Sequence, residues 1–179
     1  MARFAMIIDS SRCTGCNACR IACQMQWQLP PDIAYNRLEH IERGTYPQAR
    51  WEIVPVQCMH CDNPPCRDVC PTGATYKRSD GLVLIDSTKC IGCKYCMAAC
   101  PYGARQINED GVPEKCKFCN EAILEGKMPA CVSTCMNEVR VFGDTENPQS
   151  KISKLIAARY VSQLLPSKGT QPRIYYIKK

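Results

Sequence analysis

"CIGCKYCMAACP", residues 90–101, sets four cysteines at gaps of two, two and three residues and closes on a proline. Working outward, the stretch has a copy. "IDSTKCIGCKYCMAAC" (85–100) aligns with "IDSSRCTGCNACRIAC" (8–23) at an offset of 77 residues, with Ile, Asp, Ser, Gly and all four cysteines in register. Each copy follows a short apolar run, "FAMII" or "LVLI", that reads as a β-strand feeding a cysteine loop. A looser pair lies between and after them: "CMHCDNPPCRDVC" (58–70) and "CKFCNEAILEGKMPACVSTC" (116–135). Each has two cysteines in a C-x2-C pair, an insertion, a proline near the third cysteine and a fourth cysteine after three intervening residues. Four motifs therefore follow one another, the first like the third and the second like the fourth.

Thiolates at these spacings are the bacterial signature of [4Fe–4S] cubes. Three cysteines wrap one cube, and the fourth, where the chain turns into a helix, serves a neighbouring one. Applied along the chain, Cys90, Cys93 and Cys96 hold one cube that Cys70 completes. Cys100 crosses over to Cys58, Cys61 and Cys66. Cys13, Cys16 and Cys19 take Cys135, and Cys23 joins Cys116, Cys119 and Cys131. Sixteen cysteines divide without remainder, which predicts four [4Fe–4S] clusters with these sixteen residues as iron ligands. The swaps predict an α+β fold: a duplicated bacterial ferredoxin-like fold of two interlocked halves, with a C-terminal helix and tail. Zinc is the competing metal, since C-x2-C pairs also form knuckles. Knuckles pair two-plus-two across a spacer, without a third cysteine at the same gap and a following proline. A zinc-binding structural module is thus a remote alternative.

Composition narrows the classes further. A cysteine-dense chain can be a disulfide scaffold, but bridges inside runs this tight would close very small loops and constrain little. Met1–Asp9 lacks the basic start and long apolar run of a secretory signal, and no stretch approaches the ~20 apolar residues of a membrane span. The formal charge of +6 omits the cofactor. Four oxidised cubes with their thiolates add about −8, leaving about −2, so basicity is no argument for nucleic acid. Arg12, Arg20, Lys89, Lys94, Lys115 and Lys117, beside the cysteines, read as local charge compensation. Three Phe and two Trp, against 13 Pro and 10 Gly, make a modest core, which bound metal can staple. There is no nucleophile motif, phosphate-cradling loop or paired-carboxylate signature. The chain reads as an electron carrier with no catalytic residues and no small-molecule substrate of its own.

Other residues near the motifs read as structural. His40 and His60 are surplus as ligands, and His60, inside the second motif, is read as structural, with tuning of a cube as the alternative. Met25, Met59, Met97 and Met136 are expected to pack apolar walls around the cubes. Trp27, Trp51 and Tyr102 are expected in core packing or at an interface rather than as electron relays. Residues 24–57 show turn signals at Pro30–Pro31 and Gly44 and an extended "RWEIVPV". "EVRVFGD" reads as a strand and turn. Residues 147–166 read as a helix capped by Asn147, with Pro148 in its first turn, Pro166 as its stop, and Ile152, Leu155, Ile156 and Tyr160 on one face. "RIYYIKK" reads as a strand. The divisions expected are 1–30 plus 108–145 and 52–107 as the two halves, 31–51 as a connecting segment and 146–179 as a C-terminal strap.

"VPVQCMHCDNPPCRDVCPTGATYKRSDGLVLIDSTKCIGCKYCMAACPYGAR", "CKFCNEAILEGKMPACVSTC" with its "VFGD", and "LLPSKGTQPRIYYI" together resemble the four-cluster iron–sulfur subunit of molybdopterin oxidoreductases of the dimethyl sulfoxide reductase family. The polysulfide, thiosulfate, tetrathionate and arsenate reductase type is nearest. The resemblance runs from about residue 4 to the end, and it implies the same allotment of the sixteen cysteines. It implies a non-catalytic subunit that passes electrons between a large molybdenum or tungsten pterin subunit and a quinone-linked membrane anchor or other redox partner. The cube of Cys70, Cys90, Cys93 and Cys96 would face the quinone side, and the half of motifs 1 and 4 the catalytic subunit. It also implies a place at the periphery of the cytoplasmic membrane, on the periplasmic side by co-export with a partner, with a cytoplasmic complex as the alternative. Met136 stands where the family usually has proline, and the chain is short for the family. A polyferredoxin subunit of a soluble tungsten aldehyde oxidoreductase-type complex and a free-standing carrier remain open beside it.

Overall fold

The 77-residue repeat survives as backbone in the computed structural model, which describes residues 2–158 and 161–177. Strand β1 (Phe4–Asp9) ends at a carboxylate that accepts hydrogen bonds from the backbone N–H of Ser11 and from its hydroxyl, the latter at 2.6 Å. Asp86, in the second copy, does the same with Thr88, again at 2.6 Å from the hydroxyl. Each carboxylate nucleates one 3₁₀ turn that delivers the chain to the first cysteine, Cys13 or Cys90. Gly15 and Gly92 then take φ of +75° and +67°, and Asn17 and Lys94 take +60° and +63°. That left-handed pair bends the loop around the space the cysteines line, and glycine adopts it without a Cβ penalty. Behind the loops start helices α1 (Ala18–Trp27) and, further along, the one-turn α3 (Tyr95–Ala98).

Between these copies run a long hairpin and a short helix. Strands β2 (Asn36–Arg43) and β3 (Arg50–Gln57) pair antiparallel from Asn36↔Gln57 to Arg43↔Arg50. The hairpin joins residues of the expected connecting segment to the first strand of the following half. Helix α2 (Pro65–Asp68) carries the third cysteine of motif 2. Two small hairpins follow fourth cysteines. β4 (Thr75–Lys77) pairs with β5 (Val83–Ile85), and β6 (Gln106–Ile107) with β7 (Pro113–Glu114). Their turns match: Arg78 and Leu82 are bonded in one as Asn108 and Val112 are in the other.

The chain's two ends share one sheet. Helices α4 (Asn120–Leu124) and α5 (Ala130–Ser133) span motif 4, and then β8 (Arg140–Asp144) returns antiparallel to β1. Strand β9 (Ile174–Ile177) lies on the other side of β1, parallel to it. Alternation along β1 sends its two faces to different tasks. Ala5 and Ile7 pack beneath helix α6 (Lys151–Ala158), against its buried Ile152 and its Leu155 and Ile156. Met6 and Ile8 face the cysteine-lined interior together with Val54, Val56, Phe118 and Phe142. Gly143 lets Ile152 approach; a Cβ there would lie 3.1 Å from it.

The C-terminal helix is shorter than the sequence predicts. The side chain and carbonyl of Asn147 bond the N–H groups of Gln149 and Ser150, forming a turn, so Pro148 precedes the helix. Ser150 takes the cap instead, its hydroxyl accepting from the N–H of Ser153 at 3.2 Å. Beyond the helix, Ser162 is bridged to Tyr176, so the chain there is extended, and Pro166 opens a 3₁₀ turn. Tyr160, read on the helix's apolar face, and the final Lys178–Lys179 of "RIYYIKK" lie outside the described residues. The tail is more than a strap on one surface. Its backbone bonds Met59, Asp62 and Asn63 through Arg173, Gln171 and Thr170, while β9 holds β1. The buried Arg173 guanidinium reaches the Phe4 carbonyl at 2.7 Å and Asp62 at 3.2 Å. The tail therefore ties motif 2 to the N-terminal strand.

Candidate metal centres

Helix α1 shows how local structure spaces the cysteines. Cys19 and Cys23 are four residues apart and share a helical face, one turn above the other. The turn separates them enough for two different surroundings. Cys19 lines a hollow with Cys13, Cys16 and Cys135, whose other walls are Leu38, Pro55, Met136, Val139 and Arg140. A second hollow is lined by Cys58, Cys61, Cys66 and Cys100, with Met59, Tyr102, Arg105 and Lys115. A third is lined by Cys70, Cys90, Cys93 and Cys96, with Ile91, Lys94 and Arg105. The remaining four cysteines, Cys23, Cys116, Cys119 and Cys131, are all buried, and their sulfurs are electrostatic neighbours: Cys23 feels Cys131 and Cys119, and Cys116 feels Cys23 and Cys131.

These sites fit a cube better than a single ion. The three hollows contain about 370, 350 and 330 Å³ of atom-free space, open solvent at their mouths included, so all three suit one kind of guest. All sixteen cysteines are free of disulfides. Yet among the described residues no three Cys, His, Asp or Glu side chains converge closely enough to hold one metal ion. Four cysteines around one hollow of this size are the donor set a four-iron group needs.

Burial dominates the electrostatics. It pushes the thiols of Cys23 and Cys61 up to about 12, helped by neighbouring sulfurs. It takes Cys131 to about 11 and Cys116 well above the usual thiol range. Such thiols keep their protons at neutral pH until a metal displaces them. At Cys70 burial also pushes upward, but hydrogen bonds from Thr75 and Thr72 outweigh it and hold the thiol below its usual range.

Positive charge meets the sulfurs at three buried places. Arg105 lines both the second and third hollows, and donates to Thr75 Oγ1 at 3.2 Å and the Pro113 carbonyl at 3.3 Å. Arg140 donates to Gln57 Oε1 and lies 3.8 Å from Cys19 Sγ, with Cys131 as its strongest sulfur neighbour. Lys115 donates to the Val83 and Cys116 carbonyls inside the second hollow. Of the six basic residues read as charge compensation, only Lys115 is buried; Arg12, Lys89 and Lys94 are exposed, Arg20 and Lys117 half-buried. Sequence reading missed Arg105 and Arg140. Their signal was present, because each stands five residues after the fourth cysteine of its motif, Cys100 or Cys135.

Motifs 2 and 4 meet at a ring stack. His60 and Phe118 occupy the same place in their C-x2-C loops and both have positive φ, +43° and +53°. Their rings stack with centroids 4.0 Å apart. His60 Nδ1 accepts from the Val83 N–H at 3.1 Å, so the proton sits on Nε2, which is buried without a hydrogen-bond partner. Burial, then the charge of Lys115, holds this imidazole far below the usual histidine range. His40 is exposed on β2, edge-on to Trp51. One methionine departs from expectation. Met59 is buried and Met97 half-buried, but Met25 and Met136 are 75% and 82% exposed. Met25 lies on the outer face of α1, whereas Met136, though exposed, lines the first hollow directly after Cys135. Trp27 lies under the Lys117 ammonium, 4.7 Å from the ring centre, and Tyr102 is buried; Trp51 is exposed.

Two models of a 4Fe–4S dicluster domain match the chain, over residues 12–74 and 49–145. A sulfite dehydrogenase subunit from Allochromatium vinosum is 39% identical over 203 aligned residues, covering all of this chain and 84% of its own length. A tetrathionate reductase subunit from Salmonella typhimurium is 38% identical, over 98% of this chain and 72% of its own. The arsenate respiratory reductase iron–sulfur subunit of a Shewanella species is 35% identical, over 98% and 96%. Two overlapping dicluster matches account for four [4Fe–4S] clusters on a duplicated ferredoxin-like α+β frame, and the chain belongs to the 4Fe–4S dicluster family, among the iron–sulfur subunits of these oxidoreductases.

Proposed function

We propose that the chain is the electron-relay subunit of an oxidoreductase complex, taking electrons between a large molybdenum or tungsten pterin subunit and a quinone-linked membrane anchor or other redox partner. The observation that carries this is the cysteine-lined hollows, each gathering one set of four expected from the motif spacing. When bound, the cubes supply one-electron transfer without an open site for a substrate. The cysteines supply thiolates, and the buried cations supply the opposing charge. In this reading the sixteen cysteines are the iron ligands in the four sets above, and the two ferredoxin-like halves are 1–30 with 108–145 and 52–107.

In this reading the four sites follow one another through shared neighbours. Arg105 joins the site of Cys70, Cys90, Cys93 and Cys96 to that of Cys58, Cys61, Cys66 and Cys100. Cys58 and Cys116 are neighbours across the middle, and Arg140 joins the fourth set to the site of Cys13, Cys16, Cys19 and Cys135. Exposed cysteines occur only in the two outer sets, as Cys93 and Cys16. Each outer hollow also has an exposed apolar residue in its wall, Ile91 or Met136. These are suited to docking partners, the Cys93 end toward the quinone side and the Cys16 end toward the catalytic subunit. No helix among the described residues is long and apolar enough to cross a membrane.

The test is anaerobic purification from the native cells without forcing dissociation, with metals measured across the size-exclusion peak. About 16 iron per chain, co-eluting with molybdenum or tungsten and a large subunit, is expected. Iron at monomer size would favour a free carrier, and zinc without labile sulfide would overturn the assignment.

A further inference from the structure

Arg105, Lys115 and Arg140 share an unusual environment. All three are buried, Lys115 at 2% exposure, and their hydrogen bonds go to carbonyls, Thr75, Gln57, Met6 and Cys19. None of those partners is a carboxylate. A buried cation without a counter-charge is strongly unfavourable, so a fold keeps three of them only if something negative is present. Once a cluster binds, its thiolate sulfurs supply negative charge beside these cations. Arg105 lies among Cys66, Cys96 and Cys58, and Arg140 among Cys131 and Cys19. Lys115 is bonded to the Cys116 backbone while lining the hollow of Cys58, Cys61, Cys66 and Cys100.

Their placement is regular. Arg105 stands between the two sites of motifs 2 and 3, Arg140 between the two sites of motifs 1 and 4, and Lys115 at the seam where the halves meet. We propose that each of these three cations is the fixed counter-charge of one junction between successive clusters and raises the reduction potentials of the two clusters that flank it. The inference rests on the relay reading above and adds which residues set the potentials. The sign follows from charge: reduction adds one negative charge to a cube, and a nearby fixed positive charge stabilises that state. Neutralising the cation makes reduction harder and lowers the potential.

The experiment is EPR-monitored redox titration of the purified complex carrying Arg105→Gln, Lys115→Met or Arg140→Gln, with iron counted in each. Two of the four midpoints are expected to fall in each variant, by at least tenfold in the reduction equilibrium, about 59 mV for one electron. The pattern is the sharper readout. Arg105→Gln and Arg140→Gln should move complementary pairs, and Lys115→Met one member of each pair. Arg105→Lys and Arg140→Lys should return the midpoints toward the parent values. A Gln variant that loses iron while its Lys counterpart keeps both iron and potentials also supports the proposal, since charge is then what the site requires. Unchanged midpoints in a variant retaining its iron would overturn it. So would loss of iron in the Gln and Lys variants alike, which marks a purely steric role. Fewer than four clusters in the parent complex would instead sink the relay reading, independently of these substitutions.

Discussion

Gly15 carries two constraints at once. Its φ is +75°, and a Cβ there would lie 3.0 Å from Ile53 Cδ1 of the long hairpin. A side chain would meet the left-handed penalty of about 1–2 kcal/mol and press on the strand that walls the first hollow. Gly15→Ala is therefore expected to lower the thermal midpoint of the iron-loaded protein and to loosen iron retention at the Cys13, Cys16, Cys19 and Cys135 site; calorimetry with an iron assay checks it. An unchanged midpoint would show that the loop relaxes freely. At this scale the sequence was most readable where chemistry imposes spacing. Motifs 1 and 3 keep gaps of two, two and three, because a loop wrapping a compact guest tolerates little variation. Arg105 and Arg140 were missed because basic residues abound near the motifs, and only a fold distinguishes a buried cation from a solvated one. His60 was read as structural. The structure gives it a stack with Phe118 that depends on two motifs 58 residues apart coming face to face.

Among the elements, those with a clear period were legible. "FAMII" became β1 and "RWEIVPV" became β3 with its edges nearly unchanged. Strand β2 was not, because in "NRLEHIER" Leu38 and Ile41 fall on opposite faces and every other position is polar. Its strand character comes from pairing with β3, a tertiary cause. The C-terminal helix was overextended at both ends for one reason: Pro148 and Pro166 satisfy helix-boundary rules and turn rules equally well, and local hydrogen bonds at Asn147 and the Ser162–Tyr176 bridge chose turns. Of its expected apolar face, Ile152, Leu155 and Ile156 pack against the sheet. Ile152 is fully buried between β1 and Gly143. Ile152→Ala is expected to destabilise the protein by about 2–5 kcal/mol without altering cluster content at low temperature. Denaturant unfolding followed by circular dichroism, alongside iron analysis, separates those effects; loss of iron under native conditions would mean that α6 supports the metal sites directly.

Across the whole molecule, the apolar core and the metal sites are not separate structures. Cys23, Cys58, Cys61, Cys116 and Cys131 sit in the same buried cluster as Met6, Ile8, Val54 and Phe118. A chain with three Phe and two Trp thus gains its interior partly from sulfur, and ligand binding contributes directly to folding. The duplicated plan was legible in the sequence because repeats are visible without coordinates. The way the halves are joined was not. The seam is made by single residues, His60, Phe118 and Lys115, and by a tail whose role depends on reaching both Met59 and β1.

The crossed pairing of motifs has a consequence for how the protein is made. Cys70 shares a hollow with Cys90 across about 20 residues, whereas Cys135 shares one with Cys19 across about 116. Closing the longer span costs about 1.6 kcal/mol more entropy by the logarithmic rule, and it also waits for β8 to find β1. Maturation should consequently be staged. During anaerobic reconstitution with iron and sulfide, the segment 58–100 should acquire its paramagnetic signals first and the site of Cys13, Cys16, Cys19 and Cys135 last; freeze-quench EPR over the time course reads the order. Simultaneous appearance of all signals would mean that the sheet of β8, β1 and β9 assembles before any iron arrives. In a growing cell, staged filling leaves the late site exposed to oxygen for longest, which makes this junction of distant segments the point where biogenesis is most fragile.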